Sequence, residues 1–571
     1  MAVKKDAGGI ELGLFAPYNE VVELIGSWSE YKTIPLIKTD DGWWRYRLDL
    51  PDGDYRYKFR VKSNSYFARG EMLEVFDPYC IQVSDDGKEM SILRVENGRR
   101  NEFSYVWKHD DVPLPTNDKL VIYEMHVGDF TRGLGTRAED GKWEKGRFKD
   151  AIEKLDHLVE LGINCVEIMP VKEFHGESWG YNIRSLFAIE NAYGPAADFC
   201  ELIDECHARG MRVVMDGVYN HADAECPLAK IDYEYWFYHP NPDPPEMDWG
   251  PKYNYTHFDP HHNIFPAKKY VLESIKRLVG WFHVDGIRFD ATRAIKHFDV
   301  MRELTDAAIE QVGTMKPFIC ICEHISEDPA ICGYPDGGPM HAAWHESLAK
   351  VLQAYAAGVE RDGAKPWDID ELARKINPHT NGYGTGAHTV NYASSHDQVR
   401  LMRVIGEQGK IFDDAAFRRM KLTASILLTI PGLPMLYMGQ EFGMSNEKSL
   451  EPRPLDWSLL KNEGNTNLLK HTAGLVKLRT GTPAMNTDNF EITLIDPKRQ
   501  ILGYKRWNDA GGVVLVVANL RDEPAGDFTV ADKGLEDGIW REHGSNFEMT
   551  VQAGVLTDTL GPSEVKIYLK Q

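Results

Sequence analysis

The sequence predicts an α/β protein: a (β/α)8 TIM barrel, preceded by a β-sandwich domain and followed by an antiparallel β-domain. Three observations carry this. Between about residues 119 and 480, runs of strand length alternate eight times with helix-length segments. The runs are apolar throughout rather than alternating, as strands buried on both faces require. Acids stand just past the ends of several runs, where a barrel enzyme carries its chemistry. The expected boundaries are 1–110 for the sandwich, 111–484 for the barrel with an insertion at 222–265, and 485–571 for the last domain.

In the first part, short strands such as IELGLFAPY, VVELIGSW, WWRYRLDL and DYRYKFRVK are separated by turn signals, DDG (40–42) and PDGD (51–54). In the third strand Trp44, Tyr46, Leu48 and Leu50 share one face, which makes Trp44 a core residue. Trp43, on the other face, is expected to pack on the next domain rather than meet sugar. VPLPTN (112–117) reads as a linker.

The barrel units follow in order. LVIYEMHV (120–127) leads to a helix near 148–161, INCVEIMP (163–170) to one near 196–209, and MRVVMDGVY (211–219), after an excursion, to one near 266–282. GIRFD (286–290), FICICE (318–323), MHAAWHESL (340–348), HTVNYASSHD (388–397) and LPMLYMG (433–439) complete the eight. The excursion 222–265, rich in Pro, Asp, His and aromatics, is too long for an ordinary connection and is expected at the catalytic face. After about residue 485, ILGYKRW and VVLVVANL return to strands.

Composition narrows the partners. The 571 residues carry 65 Lys+Arg against 87 Asp+Glu, a net charge of −22, which argues against nucleic acid or an anionic membrane surface. A neutral polymer is not repelled, and 14 Trp with 25 Tyr supply flat surfaces for sugar. The N-terminal stretch is too short and polar for a signal peptide, and no run approaches the roughly 20 apolar residues of a membrane span. Eight cysteines show no zinc spacing, so a reduced, cytoplasmic protein without metal is expected.

Arg288 and Asp290 are two apart on an extended strand and share a face. The cation is expected to hold the carboxylate ionised, as a nucleophile needs. Glu323 ends an apolar run, where a carboxyl acquires a raised pKa and acts as a general acid. His396 and Asp397 follow Ser394 and Ser395 and suit two adjacent hydroxyls, while Asp216 and His221 end the third strand. Singly, each reads as well as an ion pair, an Asx-turn or a packed histidine; together, on successive strand ends, they read as a site.

These residues carry a family resemblance. DGVYNH (216–221), GIRFDATRAI (286–295), ICEH (321–324) and SSHDQ (394–398) resemble, in order, the four signature segments of the α-amylase superfamily of retaining glycosidases and transglycosidases. WGYN (179–182) with NAYG (191–194) resembles its stretch after the second strand, and the sandwich followed by YEMHVGDFT (123–131) resembles its glycogen- and starch-acting branch. The resemblance implies Asp290 as nucleophile, Glu323 as acid and base, and Asp397 as the carboxylate that grips sugar hydroxyls. It implies Arg288 orienting Asp290, His221 and His396 on the hydroxyls, and Tyr181 as a stacking platform. DWGPKYNY (248–255) resembles a stretch bordering the acceptor side, which adds Trp249 and Asn254. Asn220 matches a position that helps bind calcium in secreted members, so a structural calcium is compatible with the sequence but not required; no other cofactor is implied.

The function expected is a retaining hydrolase of α-1,4-glucosidic bonds in starch, glycogen or maltooligosaccharides, with an α-glucan polysaccharide or oligosaccharide as partner. The alternatives are a branching transglycosidase, a debranching or trehalose-releasing hydrolase and, from a different class, a noncatalytic glycan-binding protein on the same fold. Oligomeric state is not legible.

Overall fold

The computed structural model describes residues 9–131, 145–176, 179–314, 316–410, 412–545 and 547–570. The first eight residues, on which the signal-peptide reading partly rests, lie outside them.

The centre is a closed barrel of eight parallel strands in chain order: β1 (Ile122–Met125), β2 (Cys165–Ile168), β3 (Arg212–Gly217), β4 (Gly286–Phe289), β5 (Ile319–Cys322), β6 (Ala342–Trp344), β7 (Thr389–Tyr392) and β8 (Leu433–Tyr437). β8 pairs back to β1, with Ile122 beside Met435. Every residue of all eight strands is buried, which is why their sequences read as apolar runs without alternation. Gly286 opens β4 because a Cβ there would meet the Ile319 carbonyl oxygen at 2.6 Å; the backbones approach too closely for a side chain. The register sets Asp216 beside Arg288, and Arg288 beside Ile321, so charged groups of neighbouring strands come out level at one end.

Helices Ala196–Ala208 and Pro266–Phe282 lie where the sequence places them. The one helix expected near 148–161 is two, Phe148–Ile152 and Leu155–Leu161, parted at Lys154, whose φ of −114° and ψ of 1° leave the helical region.

Before the barrel, a three-stranded sheet (Ile10–Phe15, Trp43–Leu48, Ile37–Lys38) faces a second antiparallel sheet built on Val22–Gly26, Gly53–Lys62 and Ser91–Glu96. Trp44 is buried and donates its indole N–H to Ala16 O at 3.0 Å. Trp43 packs on Phe15 and on Tyr79, whose ring in turn meets Phe187 and Tyr270 of the barrel. The ring contacts of Trp43 thus stay within the sandwich, and Tyr79 makes the packing on the next domain that was expected of Trp43. After the barrel, strands from Phe490 to Lys570 form a six-stranded and a two-stranded antiparallel sheet. Arg506 reaches back to the Thr429 carbonyl at 3.0 Å. All eight cysteines are buried and unpaired. Among the described residues, no helix is long and apolar enough to cross a membrane.

Candidate active site

The carboxyl ends of β3, β4 and β5 converge on one side chain. Arg288, in the middle of β4, is fully buried, and its guanidinium lies 4.3 Å over the Trp344 ring of β6. One nitrogen donates to both Asp216 oxygens and to Asp290 Oδ1, each at 2.9 Å. The other donates to Glu323 Oε2, also at 2.9 Å. A single cation thus binds three carboxylates from three consecutive strands. The planar guanidinium makes this possible, since its fork of donors holds several oxygens in one fixed plane.

The chain around this fork is closely held. Asp290 N donates to Gly217 O at 3.1 Å and Glu323 N to Phe289 O at 2.9 Å, continuing the barrel ladder past its last residues. Ala291, directly after Asp290, adopts a left-handed conformation (φ 40°, ψ 48°), a strained choice for a residue with a Cβ. The turn aims the Ala291 N–H at Glu323 Oε2, 3.0 Å away. Asn220 donates its amide to Asp290 O at 3.1 Å and Oδ2 at 3.0 Å, while its carbonyl oxygen contacts His221 Nδ1. Asn220 matches the calcium-linked position, but here its side chain serves Asp290. Among the described residues, no group of three or more His, Cys, Asp or Glu side chains has a geometry that could hold a metal ion.

With three acids to one cation in a dry site, the acids cannot all ionise freely. Burial pushes Glu323 up to about 7 against the pull of Arg288. Burial also raises Asp216 and Asp290, again against Arg288. Arg288 pulls Asp290 toward its charged form, against a larger desolvation penalty that leaves its carboxyl above the usual range.

A second group stands beside the first. His396, after β7, donates its backbone N–H to Glu124 Oε2 at 3.0 Å, and its Nδ1 lies 2.6 Å from Glu124 Oε1. Its Nε2 lies 3.4 Å from Asp397 Oδ2. Despite burial, Asp397 and Glu124 raise His396 to about 9, so it stays an imidazolium. Burial opposes the Asp397 charge, but His396, Arg288 and Lys448 pull its carboxyl below the usual range. The Asp397 side chain is 51% exposed, the most open of the three predicted acids. Tyr181 joins the two groups: its ring stacks on His396 at 5.0 Å and its hydroxyl donates to Asp216 Oδ2 at 2.5 Å.

His221 is buried, and burial lowers it to about 4, so its imidazole is neutral. Exposed Trp249 lies 5.9 Å from it. Asn254 does not join this group by its side-chain oxygen, which accepts from Thr256 N, Thr256 Oγ1 and His257 N within its own turn.

Sequence reasoning missed Glu124, Trp344, Lys448 and Trp179. Lys448, on the segment after β8, sits 5.3 Å over the Trp179 ring, 3.7 Å from Asp397 Oδ1, and contacts the Asp397 carbonyl. Glu124 carried a signal of another kind: it is an acid inside the apolar run of β1, not past its end, and the rule that picked out Asp290 does not reach it. Lys448 carried none, since a lysine in a polar loop looks like any solvated one.

Comparison with known proteins bears on the family and the fold. Residues 128–271 and 266–511 match the family described as alpha amylase, catalytic domain, and residues 1–80 match carbohydrate-binding module 48, the isoamylase N-terminal domain. The chain is 28% identical to a malto-oligosyltrehalose trehalohydrolase of Saccharolobus solfataricus over 472 residues, 78% of this chain and 75% of that one. It is 26% identical to a 1,4-alpha-glucan branching enzyme of Aquifex aeolicus over 574 residues, 93% of this chain and 85% of the other. In fold it is similar to a type I pullulanase of Bacillus subtilis complexed with maltose, with a TM-score of 0.77 at 17% identity over 99% of this chain and 85% of that one.

Proposed function

The chain belongs to the alpha-amylase family of glycoside hydrolases and transglycosidases, and from that premise we propose that it is a retaining hydrolase of α-1,4-glucosidic bonds in starch, glycogen or maltooligosaccharides. The observation that carries the reading is the fork of Arg288, which bonds to Asp290 and Glu323 at once. Two carboxyls on one guanidinium stand close together, as a double displacement requires, with separations of about 5–5.5 Å in such enzymes.

Asp290 attacks the anomeric carbon, and Glu323, protonated up to about neutral pH, gives its proton to the departing glycosidic oxygen. A β-glucosyl ester forms on Asp290 and one sugar leaves. Glu323, now ionised, takes a proton from water as its oxygen attacks the same carbon and releases Asp290. Two inversions return the α-anomer. Asp397, held ionised by His396, grips sugar hydroxyls as positive charge builds on the ring. Tyr181 offers the ring face opposite His396, while neutral His221 and exposed Trp249 line the entry.

Hydrolysis rather than transfer is supported by the half-exposed Asp397, beside which water has access. A branching transferase is the second reading, favoured by branching-enzyme relatives that match 91% and 93% of the chain. Incubation with amylose decides between them. Hydrolysis raises reducing ends steadily, with the α-anomer appearing first by proton NMR. Flat reducing ends with new α-1,6 linkages mean branching. A β-anomer first removes Asp290 as nucleophile. Malto-oligosyltrehalose belongs in the same assay, because one relative is named for acting on it.

A further inference from the structure

The three predicted acids of the site are not held alike. Asp290 is gripped by Arg288 at 2.9 Å and by Asn220 at 3.0 Å, and Glu323 by Arg288 at 2.9 Å and by the Ala291 N–H at 3.0 Å. Short bonds from within the barrel therefore fix the direction of their oxygens. The Asp397 carboxylate keeps looser company: His396 Nε2 stands 3.4 Å from Oδ2, and Lys448 Nζ stands 3.7 Å from Oδ1. Where its oxygens point is set chiefly by its own backbone. A half-exposed side chain on a turn that shifts has freedom to lose each time it grips a sugar.

That backbone is held from two sides. On one side Gln353, from helix Glu346–Ala357, donates its amide to Ala393 O at 3.0 Å and to Gln398 Oε1 at 2.8 Å, bracketing the turn. On the other, Lys448 Nζ donates to the carbonyl oxygen of Asp397 itself. Lys448 also joins His396 and Arg288 in favouring the charge on the Asp397 carboxyl.

Lys448 is itself aimed. Its Nζ lies 5.3 Å over the ring of Trp179, which meets His396 edge-on at 5.7 Å and 84°. The segment that carries it is pinned at both ends. Arg403 Nη2 donates to Glu447 Oε1 at 2.5 Å, Asn446 Nδ2 to Arg453 O at 3.0 Å, and Arg453 N to Asp129 Oδ1 at 2.7 Å. One ammonium thus ties together the loops after β2, β7 and β8, through Trp179, Asp397 and its own segment.

We propose that Lys448 is a positioning residue for the reaction: its bond to the Asp397 peptide fixes the turn so that the Asp397 carboxylate faces the hydroxyls of the sugar whose anomeric carbon lies at Asp290. The proposal rests on the α-glucan reading above and on Asp397 as the carboxylate that grips those hydroxyls. That grip strengthens as positive charge builds on the ring, so Lys448 acts on the rate and hardly on ground-state binding.

The test compares wild type with Lys448→Met and Lys448→Arg, alone and in the Asp397→Asn background. Consumption of maltoheptaose is followed by chromatography, so that cleavage and transfer both count, and α-glucosyl fluoride, with its better leaving group, keeps the slow variants measurable. The Lys448 side chain is 39% exposed, so neither change at this position threatens the fold. Lys448→Met lowers kcat about tenfold, the scale of a charge-assisted bond, and leaves KM within about twofold. Lys448→Arg, which keeps a cation and a donor, recovers most of the loss. In the Asp397→Asn background Lys448→Met costs nothing further, because the carboxylate it positions is already gone. Wild-type kcat in Lys448→Met overturns the proposal. A tenfold loss that persists in the Asp397→Asn background overturns it too, since Lys448 then acts without Asp397, and so does a loss that falls on KM alone. The products keep the parent reading separate: new α-1,6 linkages overturn hydrolysis and leave the comparison at Lys448 as it stands.

Discussion

Strand β4 has an aspartate at each end, and the two live in opposite company. Asp285, just before the strand, is fully buried, yet His207 Nε2 at 2.8 Å, Val213 N at 2.7 Å and Lys316 Nζ at 2.6 Å surround it. Burial opposes its charge, but His207, Lys316 and Arg212 prevail and hold its carboxyl below the usual range. Asp290, at the other end, shares one arginine with Asp216 and Glu323 and is raised. The same residue type on the same strand is a settled ion at the amino end and a strained one at the carboxyl end. The number of cations per acid makes the difference. The amino end is built for stability, and the carboxyl end keeps an excess of negative charge that favours a proton on Glu323.

The sharpest way to break this comparison is to neutralise each acid in turn. Asp290→Asn and Glu323→Gln each lower kcat by roughly a thousandfold or more, and the losses do not add, because the two act as a unit. Asp285→Asn leaves kcat per folded molecule unchanged but destabilises the fold by about 3–5 kcal/mol, since His207, Lys316 and the Val213 N–H lose the fully buried carboxylate they share. Initial rates together with urea melts separate the outcomes. A catalytic loss in Asp285→Asn, with stability intact, would sink the contrast.

The two ends also respond to pH with opposite sign. Asp285 is lowered on folding, so its contribution to stability is present above the ordinary carboxylate range near 4 and is lost as pH falls below it. Glu323 is raised to about 7, so its contribution is present below that ordinary range and is lost as pH rises through about 7. Glu323→Gln therefore melts at a higher temperature than wild type at pH 8 and at a similar one at pH 4. In wild type, kcat/KM falls as pH rises through about 7, where Glu323 loses the proton it must donate. Thermal melts and rate profiles over pH 4–9 check both, and equal melting temperatures at pH 8 would contradict the excess charge assigned to the carboxyl end.

Sequence made one of these ends legible and hid the other. Asp290, Arg288 and Asp216 were readable because fixed strand geometry converts spacing into a shared face. The barrel was readable because burial on both sides forces whole strands to be apolar. Asp285 escaped notice because its partners, His207 in the last turn of helix Ala196–Ala208 and Lys316 in the loop before β5, are distant in sequence. Trp344 was lost among apolar neighbours, although its ring lies against the Arg288 guanidinium. Asn254 was read as a binding residue from a resemblance, and only coordinates reveal that its oxygen closes a local turn. Local pattern reports which face a residue takes; it does not report which distant charge awaits it there.

The smallest effect expected tests whether the balance of charge extends to the second group. Glu124 is buried and accepts two bonds from His396, one from the backbone N–H and one at Nδ1. In Glu124→Gln the amide presents an NH2 group where one oxygen stood, so one of the two donors loses its acceptor. His396 then loses much of what keeps it an imidazolium, and Asp397 loses one of the three cations that favour its charge. Loss of a charge-assisted bond of this kind lowers kcat about tenfold. A merely structural change would lower the melting temperature and leave the pH profile as it was. The discriminating substrate is an α-glucosyl fluoride, whose leaving group needs no proton, so the limb due to Glu323 disappears. Wild type then stays active until His396 titrates near 9. The variant loses activity at a lower pH, because its imidazole gives up its proton sooner. An unshifted limb in Glu124→Gln would mean that Glu124 only packs the barrel and that the charge balance ends at Arg288.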